Sequence, residues 1–237
     1  MLVDAGDGVV AQLLRAGIPA GSIEYVAITH LHWDHVLGYP AFVWGSWIAG
    51  RSSLQVWGPA GTADMHRRLV GDFYGEQAAW AIDLGFPAEG WHETSVVDIE
   101  PGWSVELDGC TIEAGAVVHP PMVAVAYRFT FDGRSVVISG DTAACDELVE
   151  FSHGAHLLVV DACAADPPTD APSRRQGLIR RLRTFHASPR QCIDMAARAG
   201  ASAVVLTHHL PEADLTVERG GYAGVIHVGA DLDRYVV

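Results

Sequence analysis

The stretch Thr29-His30-Leu31-His32-Trp33-Asp34-His35 follows directly on an apolar run at residues 25–29 and decides how the rest of the chain is read. Four potential metal ligands, His30, His32, Asp34 and His35, fall within six residues. With 12 histidines among 237 residues, three at fixed spacing arise by chance with a probability on the order of 10⁻⁴ per starting position. Imidazoles two residues apart on extended backbone point the same way, so His30 and His32 share a direction. Asp34 and His35 turn toward a second point as a helix begins. That geometry suits two cations rather than one.

Three more ligand types stand in the same context, each at the C-terminal end of an apolar, β-branched run: His119 after 111–118, Asp141 after 135–140 and His208 after 202–207. Loops at the ends of rigid strands are where sites are built, because such scaffolds hold polar groups that a core could not satisfy. Five histidines and two carboxylates make a two-metal cage. Neutral imidazoles with few carboxylates favour zinc, with manganese or iron as alternatives.

Working outward, strands are expected at 25–29, 53–57, 111–118, 127–131, 135–139, 156–160 and 202–207. Helical patterns fall at 9–16, 36–49, 63–70, 144–151 and 189–199, the last bracketed by Ser188 as N-cap, Pro189 at the first helical position and Gly200 past the end. Strands in hairpins, then strands alternating with helices, predict a layered α/β protein. No repeat or linker divides the chain, so residues 1–237 read as one domain.

Composition excludes other classes. Hydrophobic residues are 49% of the chain and charged ones 19%, enough apolar surface for a substantial core and unlike a disordered segment. The 15 basic and 29 acidic residues leave a net charge of −14, which repels polyanions and makes nucleic acid an unfavoured partner. Cys110, Cys145, Cys163 and Cys192 are far apart and read as unpaired thiols of a reducing compartment. No apolar run is long enough to span a bilayer, so the expectation is a cytoplasmic enzyme away from membranes.

Through His30-x-His32-x-Asp34-His35 and the ordered followers His119, Asp141 and His208, the chain resembles the metallo-β-lactamase superfamily of binuclear hydrolases over nearly its whole length. The segments Ser139-Gly140-Asp141-Thr142, Phe185-His186-Ala187-Ser188 and Leu206-Thr207-His208-His209 are most similar to its tRNA 3′-processing endonuclease and arylsulfatase-like branch. The resemblance implies an αββα sandwich of two mixed β-sheets with flanking helices. It implies that His30, His32 and His119 hold one metal, that Asp34, His35 and His208 hold the other, and that Asp141 bridges them. Two Zn²⁺ ions so held generate hydroxide from a bridging water. Asp34 is then both ligand and orienting group, and His186 is the candidate proton donor to the leaving group. The turn Asp4-Ala5-Gly6-Asp7-Gly8 resembles the family's Asp-x-Gly turn, which supports the metal loop through backbone hydrogen bonds, and Asp161 is a candidate to reach toward the site from its strand end.

The opening segment MLVDAGDGVV reads as the tail of a strand, a glycine turn and a helix, so the fold is expected to lack its N-terminal edge hairpin, an edge that a second copy in a homodimer would cover. Only 21 residues separate His119 from Asp141, which leaves no room there for the protruding arm of the tRNA-processing members. The substrate expected on these grounds is a small phosphodiester or an aryl sulfate ester. Lactone or lactam ring hydrolysis, tRNA 3′ processing and a degenerate metal-binding scaffold are the alternatives.

Overall fold

Runs of β-branched residues ending at polar turns become two sheets in the computed structural model, which describes residues 1–165, 172–210, 215 and 218–237. The chain forms two compact units, Met1–Ile99 and Glu100–Val237, each built on one sheet with its own helices.

The first unit contains β1 (Leu2–Val3), α1 (Val9–Arg15), β2 (Tyr25–Ala27), α2 (Trp33–Val36), α3 (Tyr39–Ile48), β3 (Leu54–Gly58), α4 (Thr62–His66), α5 (Phe73–Asp83), α6 (Glu89–His92) and β4 (Thr94–Asp98). Its strands lie in the order β1-β2-β3-β4 and pair in parallel throughout. Helices between successive strands supply the crossovers that parallel pairing requires. At the edge stands β1, a parallel strand and not a hairpin, and only the second sheet is mixed. Val26, Ile28, Leu54 and Val56 from the sheet pack against Tyr39, Phe42 and Val43 of α3. Helix α3 thus buries Phe42 in the core. Trp47 belongs to a second, aromatic cluster with Trp44 and Trp91.

One helix expected over 36–49 is two. Pro40 stands in the first turn of α3, where its missing N–H costs nothing, so the helix starts afresh after Gly38. Gly38 is also irreplaceable by geometry, because a Cβ there would sit 2.1 Å from the Gly6 carbonyl oxygen. The helix expected over 63–70 runs further, through a wider π-type segment at Arg67–Asp72 into α5. The Asp98 carboxylate at the end of β4 accepts the Gly61 and Ala63 N–H groups at 2.9 and 2.8 Å, satisfying donors that the start of α4 leaves orphaned.

The second unit contains β5 (Ser104–Leu107), β6 (Cys110–Ala116), β7 (Val125–Phe131), β8 (Arg134–Ile138), α7 (Asp146–Phe151), β9 (Leu157–Asp161), α8 (Ser173–Leu182), α9 (Pro189–Ala199), β10 (Ala203–Thr207) and β11 (Val225–Val228). Strand order is β11-β10-β9-β8-β7-β6-β5, with an antiparallel meander from β5 to β8 and parallel pairing from β8 to β11. Alternate residues Val204 and Leu206, with Leu158, Val160, Val137 and Ala126, face a core closed by Leu148 of α7 and Cys192, Met195 and Ala196 of α9. Helix α9 has the expected bounds, with a complete Ser188/Gln191 capping box and Gly200 in the left-handed region at φ 66°. The short strands β4, β5 and β11, and helices α5, α6 and α8, carry no clear apolar period and were not expected.

Direction places the site. Because β6 and β8 are each antiparallel to β7, and β8, β9 and β10 are mutually parallel, the C-terminal ends of β6, β8, β9 and β10 open on one edge of this sheet.

Candidate metal centre

In the first unit, β2 ends at Ala27, the backbone bends at Thr29, and His32 is extended where α2 begins. His30 is fully buried, His35 nearly so, His32 is half-buried and Asp34 exposed. His30 Nε2 and His32 Nδ1 lie 3.0 Å apart. Two nitrogens on one tetrahedral zinc, at bond lengths of about 2.0–2.1 Å, are separated by about 3.3 Å. The pair therefore fits a shared cation.

Asp4 sets the chemistry of this loop. Its carboxylate accepts the Thr29 N–H at 2.7 Å and the Thr29 hydroxyl at 2.8 Å, and it lies 2.7 Å from His35 Nδ1. The Thr29 hydroxyl, committed as donor to Asp4, in turn accepts from His30 Nδ1 at 3.1 Å. One carboxylate thus places the Nδ1 proton on both His30 and His35, putting their lone pairs on Nε2. The support from behind comes from the Asp4 side chain, beyond the backbone bonds Ala5 N–H to His35 C=O and Gly38 N–H to Ala5 C=O. Asp4→Ala is expected to weaken metal binding about 10–100-fold while the fold survives, a result that competitive titration with a chromogenic chelator reads; unchanged affinity would dismiss the role of Asp4.

In the second unit, the strand-end edge carries His119, Asp141, Asp161 and His208, and the segment after α8 carries His186. His119 donates from Nδ1 to the Phe185 carbonyl at 2.9 Å, which leaves the lone pair on Nε2, 3.8 Å from Asp141 Oδ2. Asp141 Oδ2 lies 3.8 Å from His186 Nδ1, and Oδ1 lies 3.4 Å from His208 Nδ1. Asp161, 1% exposed, accepts the N–H groups of Thr142 and Cys163 at 3.0 and 2.8 Å and holds His186 Nδ1 at 2.7 Å. Asp161, Cys163, His186 and His208 each offer a ligand atom, all within 4.8 Å of one another. Sequence reasoning missed Cys163, which had the look of an ordinary core thiol and is indeed buried, as Cys192 is.

His208 adopts φ 57°, a left-handed conformation that a histidine tolerates and that turns its ring toward the two aspartates. Burial pushes its pKa down, but hydrogen bonds to Asp161 and Cys163 and the charges of Asp141 and Asp161 outweigh burial and raise it to about 11. A folded-state pKa above the unfolded value stabilises the protein fully below the unfolded pKa, and that contribution fades as pH rises toward the folded one. Between about pH 7 and about pH 10 the metal-stripped wild type should lose Tm more steeply than His208→Asn, whose side chain cannot titrate and whose backbone tolerates the same φ. Parallel melting curves for the two proteins would refute this assignment. A cation displaces the same proton, so metal affinity rises with pH over that range.

Four of the remaining histidines have other work. His209 Nε2 lies 3.0 Å from the Gly229 carbonyl, His66 bonds the Tyr39 hydroxyl at 2.8 Å, His156 accepts the Ser135 N–H at 3.2 Å, and His227 packs on Tyr235. Trp33 is 70% exposed beside the ligands of the first unit, whereas Tyr39 and Phe42 are core.

A family model described as a beta-lactamase superfamily domain matches residues 1–209. Ribonuclease Z of Mycobacterium bovis (strain BCG / Pasteur 1173P2) is 32% identical over 251 residues, covering 100% of this chain and 87% of that protein. Ribonuclease Z of Mycobacterium marinum is 32% identical, with 88% of its length covered. Among solved structures, the metallo-beta-lactamase fold protein YhfI from Bacillus subtilis aligns with a TM-score of 0.70 at 19% identity, over 97% of this chain and 84% of that one. The short form of human tRNase Z aligns with a TM-score of 0.65 at 21% identity, over 98% and 85%.

These relatives overturn the expectation that nucleic acid is an unfavoured partner. The net charge of −14 is a sum over the whole surface, while a polyanion responds to the local field where it docks, and local cationic patches survive inside an acidic total. Among the described residues no helix is long and apolar enough to cross a membrane.

Proposed function

The chain belongs to the beta-lactamase superfamily of metal-dependent hydrolases, and from that premise we propose that it is a two-metal phosphodiesterase that cleaves RNA, with precursor tRNA 3′ processing as its reaction. The reading is supported by 32% identity, along the whole chain, to proteins named ribonuclease Z. The structural observation that carries it is the buried His186–Asp161 pair beside Asp141 and His208. Residues 1–237 act in this reading as one hydrolase domain in the cytoplasm. His30, His32, Asp34 and His35 of the first unit and His119, Asp141 and His208 of the second are the residues that would hold the zinc ions.

When bound, two such cations lower the pKa of coordinated water and offset charge developing on the phosphoryl oxygens. Asp34, exposed at the first turn of α2, orients the attacking water by accepting its hydrogen bond. His186 has its Nδ1–H committed to Asp161, so its Nε2 carries the proton passed to the leaving oxygen. A small phosphodiester or aryl sulfate is the second reading, favoured by the 21-residue interval between His119 and Asp141. Incubation with a precursor tRNA carrying a labelled 3′ trailer separates the two. Metal-dependent trailer release, abolished by chelation and restored by zinc, is the expected result. Turnover of nitrophenyl phosphodiester or nitrophenyl sulfate without trailer release would move the assignment to the second reading.

A further inference from the structure

We infer that the outer face of α8 is a docking surface for an RNA phosphate backbone, a proposal that rests on the ribonuclease reading and specifies where its substrate sits. All 15 cationic side chains of this chain are arginines, and Arg174, Arg180, Arg181 and Arg183 lie within ten residues, all exposed. Three other exposed arginines sit against carboxylates: Arg67 and Arg68 pair with Asp64, and Arg198 pairs with Asp146. Helix α8, SRRQGLIRRL, contains no acidic residue. Arg174 also stands in its first turn, where the helix dipole disfavours a cation. A cluster of exposed guanidinium groups on a helix that carries no acid is complementary in charge to a polyanion.

The helix places that polyanion near the chemistry. Ile179 is its buried anchor, while Arg174 and Arg181, seven residues apart, stack on one outward face. Just past Leu182, the Phe185 carbonyl accepts from His119 Nδ1 at 2.9 Å and the His186 N–H bonds the Leu182 carbonyl at 2.8 Å. Four residues from helix end to His186 span at most about 14 Å. Arginine suits the role, since its guanidinium binds phosphate oxygens in bidentate fashion.

The test is the full chain with R174Q/R180Q/R181Q, compared with R15Q/R68Q/R134Q, which removes the same charge from other elements. The expected result is a KM for precursor tRNA raised at least about tenfold with kcat within about twofold, and a slope of log KM against log salt reduced by about 2–3. Hydrolysis of bis(nitrophenyl) phosphate stays at the wild-type rate, and R174K/R180K/R181K recovers most of the affinity. An equal KM in wild type and variant, or an equal loss in the control, overturns the docking surface and leaves the ribonuclease reading intact. If no RNA is cleaved, that reading fails first, and fluorescence anisotropy with labelled precursor tRNA still decides the surface. Equal affinities of wild type and the α8 variant, a wild type that does not bind, or equal affinity for a polyanionic protein overturn it.

Discussion

Asp141→Ala is expected to drop bound metal from two equivalents toward one and to lower turnover by about 10³-fold, since a second cation contributes several kcal/mol of charge stabilisation and each factor of ten corresponds to about 1.4 kcal/mol. The reason is position. Asp141 is 2% exposed, follows β8, and sits within 3.8 Å of ring nitrogens of His119, His186 and His208. Those imidazoles converge on one carboxylate that strand direction brings to them. The charge of Asp141 also helps to hold the His208 pKa up, so the variant lowers that pKa as well. Metal content by atomic spectrometry, read alongside kcat on precursor tRNA, checks both parts. A variant that retains two equivalents and full turnover removes Asp141 from the site.

His186→Ala should behave in the opposite way toward metal. Stoichiometry stays at the wild-type value while kcat falls about 10²–10⁴-fold, the usual worth of a positioned acid. His186 is 8% exposed and its Nδ1 is bound to Asp161 at 2.7 Å, which fixes ring orientation without drawing the residue into a metal role. Asp161→Asn tests the positioning separately. It should lower kcat less than the loss of the ring does and move the alkaline limb of the pH–rate profile, the side on which a proton donor is lost, whereas KM holds. The competing outcome is concrete, because His186 also lies among the ligand atoms that span 4.8 Å with Asp161, Cys163 and His208. Loss of one metal equivalent from His186→Ala would make it a ligand and end its assignment as proton donor.

The site was legible where its signal is local. Residues 29–35 combine ligand type with a two-residue spacing that extended backbone translates directly into direction, and helix α9 announces its own ends through Ser188, Pro189 and Gly200. Strand alternation favours His208 over His209, but β10 ends at Thr207, and it is the left-handed backbone at His208 that turns its ring to Asp141 while His209 faces the Gly229 carbonyl. Cys163 gave no such signal, since a thiol two residues past a strand end looks like any core cysteine until its neighbours are known. The break at Gly38 and the extension through Arg67–Asp72 were likewise hidden. The first depends on the Gly6 carbonyl 2.1 Å from the missing Cβ, and the second on a segment with little apolar period.

What the amino-acid order determined by itself was a set of candidate ligands, the strand-end placement of His119, Asp141 and His208, and the family to which the chain belongs. Tertiary structure alone decided the rest: that Asp4 orders two imidazoles through one carboxylate, and that Asp161 grips His186. The physical reason is range. Backbone periodicity and side-chain type act over a few residues and can be read in line, whereas tautomers, raised pKa values and local fields are set by atoms 25 to 31 residues or more away along the chain that folding brings within 3 Å.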